Sequence, residues 1–231
     1  MNLRPIRTRI FRESEDLTKF IARYVPRLKS GAILALTSKV AALAEGRVGN
    51  VADIEALVGK ESEWTLRARN GRIAFKDGLL MWNAGADESN ADGRAILLPK
   101  DSFKTAAKIR AALKKRFRLK QLGVLITDSH VGPLRSGVVG VALGYAGFKG
   151  LRDYRGSKDL FGRKLRYTQT NVADSLATAA ALVMGEGSER RPLCIIEDAP
   201  VEFAEYVSRN ELRIPFADDM YAPLFKKRPR G

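Results

Sequence analysis

Residues 122–168 read LGVLITDSHVGPLRSGVVGVALGYAGFKGLRDYRGSKDLFGRKLRYT, and the rest of the chain is organised around them. The apolar run Val124-Leu125-Ile126 gives way at Thr127-Asp128-Ser129. That pattern predicts a buried strand that stops there and delivers a carboxylate and a hydroxyl where it leaves its sheet. Downstream, Gly137, Gly140, Gly144, Gly147, Gly150, Gly156 and Gly162 stand among aromatics and fixed positive charges. Glycine at this density implies close backbone packing or backbone approach to a ligand, because its conformational entropy is otherwise a cost. Packing is the expectation for most of them.

A second stretch belongs with the first. Asn83–Asn90, NAGADESN, follows the apolar pair Leu79-Leu80. Asp87 and Glu88, with Ser89 and Asn90, form an all-oxygen set suited to a hard divalent cation. Read alone, the same residues are also ordinary turn chemistry.

Taken together with other landmarks, these stretches resemble the coenzyme F420-0:γ-glutamyl ligase family. The landmarks are Thr37-Ser38-Lys39, Ala44-Glu45-Gly46-Arg47, Asn83–Asn90, Leu97-Leu98-Pro99, Ile126–Ser129, Pro133, Arg135 and Gly137. Asp153–Gly156, Asp159–Thr168, Ala173-Asp174 and Val183-Met184-Gly185 complete the set, in the family's order, over roughly residues 32–187. The resemblance implies an amide-forming ligase that uses a nucleoside triphosphate, GTP in the family, with ATP left open. It also implies an intertwined homodimer.

Composition bounds the partners. Forty-one Lys and Arg against 26 Asp and Glu give a net charge of +15, which favours anionic partners without choosing among nucleotide, carboxylate substrate, nucleic acid or an acidic surface. At 231 residues with 45% apolar content the chain can bury a sizeable core as a single unit. Cys194 is the only cysteine and lies in an apolar run, so a core thiol is expected, with no disulfide framework and no cysteine-based metal site. No apolar run reaches membrane-spanning length and MNLRPIRTRIFRES lacks a signal-peptide block, so the expected location is the cytoplasm.

In chain order, residues 3–12 read as a short strand or extended arm, where the family carries a Gly-Leu-Pro-type nucleotide loop that is missing here. Ser14 is the predicted cap of a helix from Glu15 to Tyr24. Ala32–Leu36 reads as a strand and Val51–Val58 as a short helix. Arg72–Phe75 and Leu79–Trp82 form a predicted hairpin through Lys76-Asp77-Gly78. Ser102 is the predicted cap of a helix from Phe103 to Phe117, with Arg110 among its outward cations. Asn171 caps Val172–Met184, closed by Gly185, with alanine faces for packing within the subunit or across a dimer. A helix near Val201–Val207 and a disordered basic tail at residues 226–231 complete the reading. The fold expected is α+β, a mixed sheet in a two-lobed subunit.

By resemblance, Asp87 and Asp128 are ligands of Mg²⁺ or Mn²⁺, Ser129 adds an oxygen where the family has Thr, and Ser38, Lys39 and Asn90 line the nucleotide site. Arg135, with Asp128, is assigned to catalysis, and Arg155 and Arg163 are further candidate clamps for phosphate or carboxylate. The chain departs from the family at Leu43, where a lysine is usual, and at Val131-Gly132 and Leu134, where the family has Gly-Arg and Trp. His130, the only histidine, reads as a loop residue or as a proton acceptor for an amine. The implied partners are GTP, L-glutamate and an anionic carboxylate acceptor. Two alternatives stay open: a paralogue acting on a folate or another carboxylate, and a non-enzymatic anion- or RNA-binding protein on the same fold, which the charge permits.

Overall fold

The computed structural model describes residues 1–225. Ala32–Leu36, Val124–Ile126 and Leu193–Ile196 are buried throughout, as strands covered on both faces must be. They are the centre of a five-stranded sheet ordered β1 (Asn2–Ile6), β12 (Leu193–Glu197), β2 (Ala32–Thr37), β8 (Leu122–Val131) and β9 (Val138–Ala146). β2 and β8 run parallel and the other neighbours antiparallel, so the sheet is mixed. Alternation then sorts the side chains. Leu34, Leu36, Val124 and Ile126 meet α1 (Leu17–Tyr24), α2 (Ser38–Ala44) and α4 (Ser102–Phe117) on one face. Ile33, Ala35, Leu125 and Cys194 meet α5 (Val172–Met184) on the other. Cys194 is the expected core thiol, and burial pushes its pKa up to about 11.

The alanine face of α5 is used within the subunit: Ala173, Ala177 and Ala180 are fully buried. A Cβ at Gly140 would stand 2.3 Å from the Ala177 carbonyl oxygen, so β9 and α5 approach backbone to backbone. Both predicted ends of α5 are present, with Asn171 Oδ1 accepting the Asp174 N–H at 3.0 Å and Gly185 terminating at φ 83°.

Beside this sheet, β3 (Val48–Asn50) pairs with β7 (Arg94–Ile96), and β4 (Trp64–Ala68), β5 (Gly71–Lys76) and β6 (Leu79–Trp82) form a small antiparallel sheet. The predicted hairpin closes through Asp77 and Gly78 at φ 53° and 84°, as a two-residue turn requires. With α3 (Ile54–Glu61) this sheet encloses its own cluster of Val58, Ala74, Ala84, Ala86 and Leu97. β10 (Leu151–Asp153) and β11 (Gln169–Asn171) bracket the excursion at residues 154–168.

Several expectations need correction. β8 does not stop at Ile126; it continues to Val131 because β9 pairs with it along that whole length, with a bulge at Ile126/Thr127. α1 is capped by Asp16, whose side chain accepts the Lys19 N–H, and Ser14 sits in a turn at φ 61°. α4 is capped by Asp101 rather than Ser102. In both helices a carboxylate acts as cap, a charged acceptor that also suits the positive end of the helix dipole. Residues 51–53 form a 3₁₀ turn before α3, which runs on to Glu61. Residues 201–207 are not helical: Phe203 bridges to Phe148, and Glu205 reaches α4. The basic tail at 226–231 lies outside the described residues. Among the described residues, no helix is long and apolar enough to cross a membrane.

Arg110 is buried rather than outward. Its Nε donates to the Leu122 carbonyl at 2.8 Å, and its Nη atoms hold Glu205 at 2.9 and 3.0 Å. Arg110→Ala should cost about 2–4 kcal/mol in urea unfolding, since a buried carbonyl loses its donor and the packed stem is lost. Glu205→Gln, at a surface carboxylate, should cost less than about 1 kcal/mol.

Candidate functional site

The parallel register of β2 and β8 builds the centre of the site. Thr37 lies opposite Thr127, so the next residues, Ser38 and Asp128, emerge side by side where β2 turns into α2. Asp128 therefore meets Ser38 because its neighbour β2 ends there, not because its own strand does. Ser38 Oγ donates to Asp128 Oδ1 at 2.6 Å, and Ser38 itself is buried. Crevices at the carboxyl ends of parallel strands are the usual ligand sites of such sheets.

The 83–96 loop brings the second carboxylate. Asp87 exchanges both backbone hydrogen bonds with Ile96 at 2.9 Å, which fixes its Cα. Around it Asn83, Ala84, Asn90 and Asp92 all have positive φ, between 47° and 53°, a strained run of the kind found at ligand clamps. Lys39 Nζ lies 2.8 Å from Asp87 Oδ2 and donates to the Ser89 carbonyl and hydroxyl at 2.8 and 2.7 Å. The Ser89 N–H donates to Asp87 Oδ1 at 2.6 Å. The stretch is thus a turn held by its own side chains, with Asp87 and Ser89 turned toward Lys39.

The two carboxyl groups are driven apart in acidity. Burial pushes Asp128 up to about 6, and the negative charge of Asp87 adds to the effect, while the Ser38 hydroxyl and Lys39 oppose it. Burial would also raise Asp87, but Lys39 and the Ser89 donors outweigh it and hold its carboxyl below the usual range. Two carboxylates, two hydroxyls and a lysine therefore share one crevice. Among the described residues no three His, Cys, Asp or Glu side chains gather to hold a metal. The donor set fits a hard cation that takes oxygen from one or two carboxylates and completes its shell with water and substrate phosphate; it does not fit zinc.

The other predicted residues lie around this centre or beyond it. Ser129 is on the opposite face of β8 from Asp128, and its hydroxyl donates to the Glu186 carboxylate at 2.8 Å to each oxygen. Glu186 was missed from the sequence, although an acid directly after the α5 C-terminus, where the helix dipole disfavours it, was a usable signal. Asn90 Nδ2 points to the Gly187 carbonyl at 3.4 Å, so the 83–96 loop and the segment after α5 meet. Arg135 is exposed in the turn joining β8 to β9, several residues beyond Asp128. Arg155 is paired with Asp153 at 2.6 Å and Arg163 is exposed. His130 lies in β8 rather than in a loop; burial lowers its pKa, against the charge of Asp174. Leu43 packs among Ala42, Ala91 and Ile96 beneath the 83–96 loop. Glu45 and Arg47 act as clasps: Glu45 accepts the Lys100 N–H and the Thr105 hydroxyl at 2.7 Å each, and Arg47 joins Glu61 at 2.6 Å.

A family model described as F420-0:Gamma-glutamyl ligase matches residues 5–198. The chain is similar to the coenzyme F420:L-glutamate ligase of Methanococcus maripaludis strain C6, 39% identical over 169 residues, covering 72% of this chain and 68% of that protein. It is 34% identical over 224 residues to the enzyme of the same name from Methanopyrus kandleri, covering 87% and 88%. With that from Archaeoglobus fulgidus it shares 33% over 208 residues, 81% and 83%.

Proposed function

The chain belongs to the F420-0:gamma-glutamyl ligase family, and on that premise we propose that it joins L-glutamate to a carboxylate acceptor of the F420-0 type, using GTP, through an acyl phosphate. The observation that carries this reading is the convergence of Ser38, Lys39, Asp87 and Asp128 from three separate segments at one strand-end crevice.

Amide formation in water is uphill and a carboxylate oxygen leaves poorly. Transfer of the γ-phosphoryl group to the acceptor carboxylate releases GDP and makes phosphate the leaving group. The amine of glutamate then attacks the acyl carbon, the C–N bond forms, the C–O bond to phosphate breaks, and the amine proton passes to a base. Lys39, on the first turn of α2, would neutralise phosphate charge, and Ser38 and Asn90 would orient the nucleotide. His130, kept neutral by burial, could take the amine proton. Asp87 and Asp128 would hold Mg²⁺ or Mn²⁺, which when bound supplies charge neutralisation for phosphoryl transfer.

The exposed apolar residues Val131, Leu134, Val138 and Val139 at the tip of β8 and β9, and Leu160, Phe161 and Tyr167 in the 154–168 excursion, support the homodimer expected of the family.

Two results test this reading. Hydroxylamine replacing glutamate should trap the acyl phosphate as a hydroxamate, dependent on both GTP and acceptor; hydroxamate formed without GTP would contradict the mechanism. In calorimetry GTP should bind at least about tenfold more tightly with Mg²⁺ than without, because two carboxylates otherwise face the phosphates. Equal affinity in both would remove the metal from the account.

A further inference from the structure

A cleft of about 180 Å³, lined by neither Lys39 nor Asp87, lies between the start of α4, the start of α5, the β5–β6 turn and residues 209–213. It is below the roughly 300–1,000 Å³ typical of drug-sized ligands, too small to enclose a nucleotide or a deazaflavin. Its charged lining is balanced, with Lys100, Arg209 and Arg213 against Asp77, Asp101 and Asp174. That balance is unusual in a chain of net charge +15, and it disfavours a polyphosphate while suiting a zwitterion.

The groups are positioned rather than loose. Arg209 Nη2 donates to Asp101 at 2.7 Å and its guanidinium lies 5.8 Å from the centre of the Phe103 ring. Arg213 Nη2 donates to the Asp77 carbonyl at 2.7 Å. Both retain further N–H donors for a carboxylate. Asp174 accepts the Ala142 N–H at 2.8 Å and the Asn171 amide at 2.6 Å, which leaves lone pairs for an ammonium. Ala142 lines the cleft and is the cross-strand partner of Thr127, the residue before Asp128. Arg209 and Arg213 lie beyond the residues that the family model matches.

We propose that this cleft is the amino-acid subsite, in which Arg209 and Arg213 hold the carboxylates of an acidic L-α-amino acid and Asp174 holds its ammonium beside Ala142 of β9. The proposal rests on the ligase reading for the identity of the amino acid. The step it serves is amine attack on the acyl phosphate: the ammonium held by Asp174 first loses a proton to water, the free amine forms the C–N bond as the C–O bond to phosphate breaks, and the second proton shed from nitrogen also passes to water.

The test is saturation-transfer NMR on the full chain with Mg²⁺ and GDP, titrating L-glutamate and, separately, glutarate, which lacks the ammonium. L-glutamate should bind saturably, and glutarate about tenfold more weakly or worse. Arg213→Gln should weaken glutamate binding by about tenfold, the scale of a lost charge-assisted hydrogen bond. Leu212→Trp, which fills the cleft and removes no charge, should abolish it while GDP binding persists. No saturable glutamate binding, or binding untouched by Leu212→Trp and Arg213→Gln, would overturn the subsite even if the chain forms amides. Binding lost in both variants, with no amide product from any acceptor, would keep the subsite and remove the ligase reading.

Discussion

Asp128→Asn is expected to lower turnover by several powers of ten while the metal-free protein becomes no less stable. The amide keeps the shape and still accepts from Ser38 Oγ, but it removes the negative charge that would balance a cation, and sites that lose such a ligand fall steeply. The stability half of the prediction follows from acidity. Burial raises the folded pKa of Asp128 to about 6, above the unfolded value near 3.8. Between these values the folded state binds the extra proton, so stability is full below about pH 4 and declines as pH rises through 6. About two pKa units correspond to something on the order of 2–3 kcal/mol. Urea unfolding of the metal-free wild type should lose stability over that window. The Asp128→Asn variant should lack this component and be the more stable at pH 7. A turn-capping aspartate would give the reverse, a variant that stays active and is weakened by about 1 kcal/mol.

Gly144→Val should cost more than about 4 kcal/mol and leave little folded protein at 37 °C. Gly144 faces Ile126 across the ladder, and a Cβ there would stand 2.5 Å from both Phe103 N and the Ser102 carbonyl carbon. Those are backbone atoms of the first turn of α4, so no rotamer change relieves the clash. Gly132→Ala is the control: nothing lies within 4 Å of its Cβ position, and stability should change by less than about 0.5 kcal/mol. Thermal melts of the two variants compare the packing reading of the glycine-rich stretch directly; similar losses in both would contradict it.

What could be read from the sequence was what local pattern determines. The strands at 32–36 and 124–126 are continuous apolar runs, the α5 caps are local chemistry, and the Asp-Gly turn permits few alternatives. What escaped depends on distant partners. β8 extends past Ile126 only because β9 pairs with it, and Arg110 turns inward because the Leu122 carbonyl and Glu205 meet it there. The site divides in the same way. Asp87, Asp128, Ser38 and Lys39 were identifiable as family landmarks, and the fold brings them together. Ser129 was assigned beside Asp128 by resemblance to the family; in the fold the two neighbours face opposite sides of β8, and the Ser129 hydroxyl donates to Glu186. No pattern in the sequence placed the 199–213 segment against α4 and β9, since its anchors are single charged or aromatic residues: Phe203 on Phe148, Glu205 on Arg110, Glu211 on Tyr145.

The central claim is a glutamate ligase centred on Asp87 and Asp128, and product mass spectrometry tests it most directly. Incubated with Mg²⁺ or Mn²⁺, GTP, L-glutamate and F420-0, the protein should yield an acceptor heavier by one glutamyl residue, with GDP and phosphate released in equal amounts, and Asp128→Asn should yield none. GTP hydrolysed while every acceptor keeps its mass, or an amide product formed equally well by Asp128→Asn, would contradict the account.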